Sequence, residues 1–420
     1  MMSRWRWLLT LFARKLWLRV SVMALVGVAT AAAGIVFAPY VPDAWTIKIG
    51  AQAIDGILNV LASSMLAVTV FSMSTMVAAY GTATSNVTPR ATKLLMEDNT
   101  SQNVLGTFIG SFLFSLVGII ALSTGLYGSQ GRAILLVVTI GLIALIAVTI
   151  LRWIDYLARF GRLGETVQRV EEATWKAMKT RLSHPYLGGR PMEGGLPQGA
   201  WPVFANVIGY LQHVDISALE DCAKAGKRSV FIMALPGVFA DPARPVAMVS
   251  GRQDDKTRKA VAEAFTVGAE RTFDQDPRFG LCVLAEIASR ALSPAVNDPG
   301  TAIDVIGRAV RLFVQWGRYD ASEANAAVTC SHVFVPAVAI GDMFDDVFTP
   351  IARDGAGMLE IQVRLQKAYL ALVQTDREAF GAAACRHSRI ALTRAEAGLK
   401  LEEEKQAVRA LAAKACQTVE

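Results

Sequence analysis

The sequence predicts an integral membrane α-helical protein: four transmembrane helices, then a C-terminal cytoplasmic α+β domain with a small β-rich module. Three observations carry this prediction. Hydrophobic residues make up 53% of the 420-residue chain and charged residues only 19%, below the roughly 25% usual in soluble domains, and mean hydropathy is +0.37. Four charge-free apolar runs lie in the first 151 residues. After them, β-type runs and helical periods follow one another in a more polar sequence.

The first nineteen residues hold Arg4, Arg6, Arg14, Lys15 and Arg19 and no acid, which is nearly all of the net charge of +6. With Trp5, Trp7 and Trp17 interleaved, residues 1–19 read as a basic, aromatic helix lying in the membrane interface. The remainder is close to neutral, so it lacks the basic patch that a nucleic-acid partner requires.

The apolar runs are 20–38, 57–80, 104–127 and 133–151, each long enough for the ~20 helical residues that a bilayer demands. Together they define a transmembrane domain over 20–151. Pro39 and Pro42 close the first, and only "GSQGR" separates the last two. Lys and Arg crowd the N-terminal segment, the 81–103 loop and the stretch after residue 151, leaving only Lys48 and Arg132 opposite. That asymmetry places both termini in the cytoplasm of a multi-pass protein of a bacterial inner membrane. The competing reading is a cleaved signal peptide at Ala31-Ala32-Ala33; the apolar run continues past that site to Ala38, against the usual pattern.

The second run, "GILNVLASSMLAVTVFSMSTMVAAYG", is rich in hydroxyls. Asn59, Ser63 and Ser74 share one side of the helix, while Ser64, Ser72 and Thr75 lie roughly opposite, with Thr69 between. Two readings stay open: hydrogen bonding within a bundle or oligomer, and the lining of a pore. In the third run Gly110, Ser111, Ser115 and Gly118 form a small-residue ridge suited to close packing. Thr88 and Pro89 open a helix expected to run into that third span, with Arg90, Asp98 and Gln102 at its cytoplasmic mouth. They read either as a solvated face or as a gating contact.

Residues 152–182 read as a charged stalk helix, and "HPYLGGRPMEGGLPQGAWP" makes 183–202 a linker. A β-rich module over 203–252 follows, from "ANVIGYLQHV", "SVFIMAL" and "VAMVS", with the helix "SALEDCAKAG" inside it. The domain over 253–420 is mostly helical, beginning with "DKTRKAVAEAFTVG" and "DPRFGLCVLAEIASRAL". It continues through a strand-like "HVFVPAVAI", helices near 342–353 and 356–375, and a last helix from about 376 interrupted at Gly398. The five cysteines are scattered, which argues against a disulfide framework and suits a reducing compartment. The four histidines show no metal-ligand spacing.

The densest polar cluster is "RALSPAVNDPGTAIDVI", residues 290–306. Pro294 ends one helix, and Asp298-Pro299 offers an N-cap and first position for the next. The alternative is a ligand site built from Glu286, Arg290, Asn297, Asp298 and Asp304. No Walker loop, HExxH, GxSxG or GxGxxG is present, so no catalytic residue, metal or cofactor is expected. An enzyme acting on a lipid-linked substrate would need Glu286 and Asp298 gathered in one cleft.

"DPRFGLCVLAEIASRALSPAVNDPGTA" and "TPRATKLLMEDNTSQNVLGTFIGSF" resemble blocks of a family of predicted bacterial membrane proteins, domain of unknown function 2254. "NVIGYLQHVDISALEDCAKAG" with "LPGVFADPARPVAMV" resembles its barrel-like module. Thr88 stands where the family has Ser, and "DPARPVAMV" where it has a Gly-x-Pro-Leu hairpin. That module is similar to biotinyl and lipoyl carriers, but no lysine occupies the hairpin. The resemblance implies no activity. The expectation is therefore a non-enzymatic membrane protein whose partners are the bilayer and further copies of itself. It acts as a conduit through the second span or, alternatively, as a tethered sensor or scaffold binding a small ligand or partner.

Overall fold

The computed structural model describes residues 7, 9, 15–37, 51–96, 98–159, 162–319 and 328–417; Trp5, Pro39, Pro42, Lys48 and most of the 1–19 segment lie outside them. The chain divides into two compact units, one spanning 8–166 and the other 167–420 together with residues 1–7.

The first unit is helical: α1 (Leu16–Phe37), α2 (Ala51–Asn86), α3 (Pro89–Met96), α4 (Asn99–Ser123) and α5 (Ser129–Arg159). Four of these are long and apolar enough to cross a membrane, at Trp17–Phe37, Gln52–Thr82, Asn99–Ser123 and Gln130–Ala158. Their outward faces carry Leu25 and Val26, Val70 and Phe71, Val137 and Ile140. So large an apolar surface is costly in water and neutral in lipid. Helix α4 is the most buried and packs on both α1 and α2. Its small-residue ridge makes this possible: Ser111 and Ser115 are buried, and a side chain at Gly110 would collide with the backbone oxygen of Met23.

The helix opened by Thr88 does not run into the third span. Thr88 accepts from the backbone of Ala91 at 3.2 Å, as an N-cap does, but α3 stops at Met96. Asp98, in extended conformation, then caps a fresh helix by accepting from the Ser101 N–H at 2.9 Å.

The second unit opens with α6 (Leu163–Ser183), whose first turn falls in the other unit. Among the described residues eight strands follow, at Arg190–Pro191, Trp201–Val203, Gly209–Val214, Val230–Ile232, Phe239–Ala240, Ala247–Val249, Phe265–Gly268 and Val333–Val335, numbered β1 to β8. They form a five-stranded sheet in the order β1-β8-β4-β6-β2 and a three-stranded sheet in the order β5-β3-β7. Helices α7 (Ile216–Gly226) and α8 (Asp255–Glu263) pack with these strands over one core that includes Val203, Leu219, Val230 and Val249.

Three features differ from the sequence expectation. The linker over 183–202 supplies β1 and β2, held by backbone bonds such as Met192 N–H to Val335 O at 3.0 Å. The helical period expected through "AFTVG" ends at Glu263, because Phe265, Thr266 and Val267 favour a strand and pair antiparallel with β3. Strand β8 comes from far along the chain. Buried Glu220 draws it in by accepting from the backbone N–H groups of Ser331 and His332.

The remaining helices are α9 (Phe279–Ala291), α10 (Pro299–Gly317), α11 (Ile340–Asp354), α12 (Leu359–Thr375), α13 (Arg377–Gly398) and α14 (Glu402–Gln417). Against the expectation from their spacing, Cys385 and Cys416 form a disulfide, because α13 and α14 pack together beyond the break at Gly398. Cys222, Cys282 and Cys330 are free.

His387 sits among the rings of Phe344, Phe348 and Tyr369, 2% exposed. Burial, with Arg386 adding to it, pulls its pKa down to about 4, against the pull of Asp345 at 3.1 Å. The unfolded chain therefore takes up a proton below pH ~6.5 that the native chain refuses. Stability present above that pH should fall by about 2 kcal/mol at pH 5 and go on falling to about pH 4. Melting curves at pH 7 and pH 5 check this: His387→Gln should flatten the loss between them.

Candidate functional site

Within the second unit, four separate segments surround a cavity of about 360 Å³: the end of α6, the β4–β5 loop, residues 271–278, and the β8–α11 loop with Asp342. Three arginines reach it: Arg181, Arg271 and Arg278.

Asp276 organises the inner wall. It is 2% exposed, accepts from Arg271 Nε at 2.8 Å, and caps α9 through the N–H groups of Arg278 (3.0 Å) and Phe279 (3.1 Å). Burial pushes its carboxyl up, opposed by Arg271 and these N–H groups. Burial also works against the Arg271 charge, but Asp276 outweighs it and the guanidinium pKa ends above its ordinary value. Arg271 lies over the Phe279 ring at 5.2 Å and donates to Cys282 Sγ at 3.3 Å. The Cys282 thiol is pushed up to about 11, chiefly by burial, so it is a poor nucleophile.

Arg278 is fully engaged. It grips Asp346 with two nitrogens at 2.6 and 3.1 Å and Asp342 with the third at 2.6 Å. Arg181 is different. It is 4% exposed, and its Nη2 donates to the Gln275 carbonyl at 3.1 Å. Its Nη1 has no hydrogen-bond partner among the described residues. Burial pulls its pKa down to about 10, with Asp276 resisting. The inner wall thus holds a buried guanidinium, Arg181, and a half-buried one, Arg271, beside the buried Asp276 carboxylate. An unpartnered cationic donor of this kind is costly.

The lining also includes apolar residues, among them Pro236, Val338 and the exposed Met233. Gly237, at φ +98°, lets the loop touch Asp276: a Cβ there would lie 2.2 Å from Oδ2. Two of the quoted sequence blocks, "LPG" at 235–237 and "DPRFG" at 276–280, therefore meet at this cavity.

The sequence candidates fall elsewhere. In the 290–306 corner, Asp298 caps α10, accepting from Thr301 N at 3.1 Å and Oγ1 at 2.5 Å. Those bonds hold its carboxyl below the usual range. Asn297 is exposed and left-handed at φ +50°. Arg290 is exposed, and its carbonyl accepts from Ser293. Glu286 is half-buried on α9. Neither Glu286 nor Asp298 lines the arginine cavity. Asp304 borders a shallow open groove along α10 and is bonded to Arg308 at 2.7 Å.

On α2, Asn59, Ser63 and Ser64 are exposed, and Thr69 and Thr75 are half-buried. Ser63, Thr69 and Thr75 donate to their own helix's carbonyls four residues back. Ser72 is buried and accepts from Trp153 Nε1 at 2.9 Å. At the mouth, Asp98 binds Ser101 and the Tyr156 hydroxyl (2.9 Å), Gln102 is buried, and Arg90 is exposed. Trp7, expected in the membrane interface, is instead 3% exposed in the second unit, stacked on His213 and donating to Asp274 at 3.2 Å. Among the described residues no three His, Cys, Asp or Glu side chains cluster as metal ligands.

Sequence reading missed Arg181, Arg271, Asp276, Arg278 and Gly237. Arg181 lay hidden in what reads as a solvated stalk. The available signal was the pair of short blocks, "LPG" and "DPRFG", each supplying residues to one cavity.

Fold and site together define a protein with four membrane-length apolar helices followed by a mixed α/β unit enclosing an arginine-lined cavity. The chain belongs to the family described as "Predicted membrane protein (DUF2254)", whose profile matches residues 13–371. It is 27% identical over 262 residues to uncharacterised proteins of Mycobacterium bovis and Mycobacterium tuberculosis. The match covers 60% of this chain and 50% of each relative, so the chain spans about half the length of the curated relatives it matches. No solved structure matches.

Proposed function

We propose that the chain is a membrane-tethered sensor that takes up a small anionic ligand in its C-terminal unit. One observation carries this reading: a guanidinium 4% exposed, with Nη1 lacking a partner among the described residues, on the wall of a 360 Å³ cavity. Anchoring in a bilayer through four spans is supported by the lipid-like outer faces of α1, α2 and α5. Trp7 precedes α1 yet packs into the unit formed by 167–420. The number of crossings between them is then even, which supports four spans and a shared side for both. The Lys/Arg asymmetry supports the cytoplasm as that side.

The second reading, a homo-oligomeric conduit, draws on the exposed Asn59, Ser63 and Ser64 of α2, polar groups on an otherwise lipid-compatible face. One experiment separates the two. The full chain in lipid bilayers is melted with and without acetate, inorganic phosphate and longer carboxylates, and the same liposomes are assayed for ion and solute flux. The sensor reading expects an anion at ~100 times its Kd to stabilise the second unit by about 2.7 kcal/mol, without flux. Flux with no anion-dependent stabilisation would assign the protein to the conduit class instead.

A further inference from the structure

Helix α10 keeps one face uncovered, and the chemistry of that face is complementary to itself. We propose that α10 packs antiparallel against α10 of a second copy of this chain, across a twofold axis at Gly307.

The face floors the open groove that Asp304 borders, about 620 Å³ in volume, with Arg364 of α12 at its edge. Gly307 stands at its centre, half-buried in the interior of a 19-residue helix. Alanine would be the better residue there by up to ~1 kcal/mol. Nothing within the chain asks for glycine at this point. Its φ is not positive, and beyond its own helix an added Cβ would meet only Nη2 of Arg364, at 3.3 Å. That atom is the tip of a flexible, exposed side chain. Gly237 and Gly280, by contrast, are required by Asp276 and Thr174 inside the same unit. The side chain missing at 307 makes room on the outside, where another backbone can come close.

A twofold contact requires that one patch fit itself, residue i meeting j and j meeting i. Around Gly307, antiparallel helices bring together residues equally far before and after it. Exposed Gly300 then faces half-buried Val314, a gap against a branched side chain, at both ends of the contact. Ile303 faces the aliphatic stem of Arg311. Asp304 faces Val310 and lies one residue from Arg311 of the second copy, so acid meets base twice. Within the chain Asp304 is held by Arg308 and Arg311 by Glu171, yet the two side chains remain 51% and 55% exposed and can reach across the axis. A parallel pair would instead set Asp304 against Asp304 and Arg311 against Arg311, which like charges oppose. The contact runs about 21 Å along each helix. That is short for proteins meeting in solution, but copies confined to one bilayer meet at high effective concentration.

The test is disulfide cross-linking of added cysteines in the full chain, in native membrane vesicles and in liposomes, with copper–phenanthroline and air as oxidant. The unaltered chain, with free Cys222, Cys282 and Cys330, sets the background. Gly307→Cys puts identical thiols on the axis and should give a covalent dimer as the main product. Gln315→Cys, exposed on the same helix, should stay at background, since its two copies would lie about 24 Å apart. Gly300→Cys chains mixed with Val314→Cys chains should link to one another and not to themselves. In detergent, Gly307→Trp should weaken the dimer at least about tenfold by sedimentation at an unchanged melting temperature, since only the Arg364 tip must yield. Asp304→Asn should weaken it about fivefold, because symmetry removes two exposed ion pairs at once.

Cross-linking at 307 no stronger than at 315 would overturn the interface. Gly300→Cys linking to itself would show a parallel pair and overturn the twofold axis. A dimer untouched by Gly307→Trp would place the contact on another surface. A link from 307 to a different membrane protein would give the groove to a foreign helix and overturn the second copy.

Discussion

Gly280→Ala is expected to lower the melting temperature of the C-terminal unit by about 5 °C or more, although alanine is the better helix former by up to ~1 kcal/mol. Gly280 lies in the first turn of α9, facing Thr174 of α6, and both are buried. A Cβ at 280 would sit 1.8 Å from Thr174 Oγ1 and 2.7 Å from its Cβ. The hydroxyl cannot easily swing away, since it donates to the Val170 carbonyl at 2.5 Å. Overpacking of this kind costs about 1–3 kcal/mol and sometimes more. Thr174→Ala in the same chain should restore only part of the loss, because the two Cβ positions still collide. Thr174→Gly, which moves the small residue to the other helix, should restore most of it. Gly164→Ala provides the control: no atom lies within 4 Å of that added carbon, and the change should be neutral or stabilising. Thermal melts of the four variants decide the matter. An unchanged Gly280→Ala would mean that α6 and α9 do not cross this closely.

How far such contacts could be anticipated depends on the range over which they act. The four long apolar helices are written in hydropathy alone, because a lipid-facing helix needs ~20 consecutive apolar residues whatever its neighbours do. Asp298 as the cap of α10 and Gly398 as the break before α14 are equally local, the first resting on an N–H three residues away. Asp98 is also a local cap, yet it reads as one of the charges on a continuous helix, since nothing in the sequence marks its extended backbone. The cavity is not local at all. Arg181 sits in a helix dense with charges, and which of them turns inward is fixed by residues 275–276 almost a hundred positions later. Strand β8 joins its sheet through a carboxylate at 220. The 290–306 corner drew the eye because its polar residues are contiguous; the arginine cavity escaped because its own are dispersed over four segments.

Gly237→Ala should be the most damaging single change at the cavity, costing about 3–5 kcal/mol and removing anion-dependent stabilisation with it. Two costs combine. At φ +98° an alanine is strained by ~1–3 kcal/mol wherever it is placed. The added carbon would also lie 2.2 Å from Oδ2 and 2.6 Å from Cγ of Asp276. Asp276 cannot retreat without breaking its bond to the half-buried Arg271 and uncapping α9. A double-mutant cycle separates the two costs. Asp276→Ala deletes every atom of the collision, so in that background Gly237→Ala should cost only the backbone strain. Equal cost in both backgrounds would show that the loop and the carboxylate act independently. The approach of "LPG" to "DPRFG" would then be incidental to the inner wall that holds Arg181 in place.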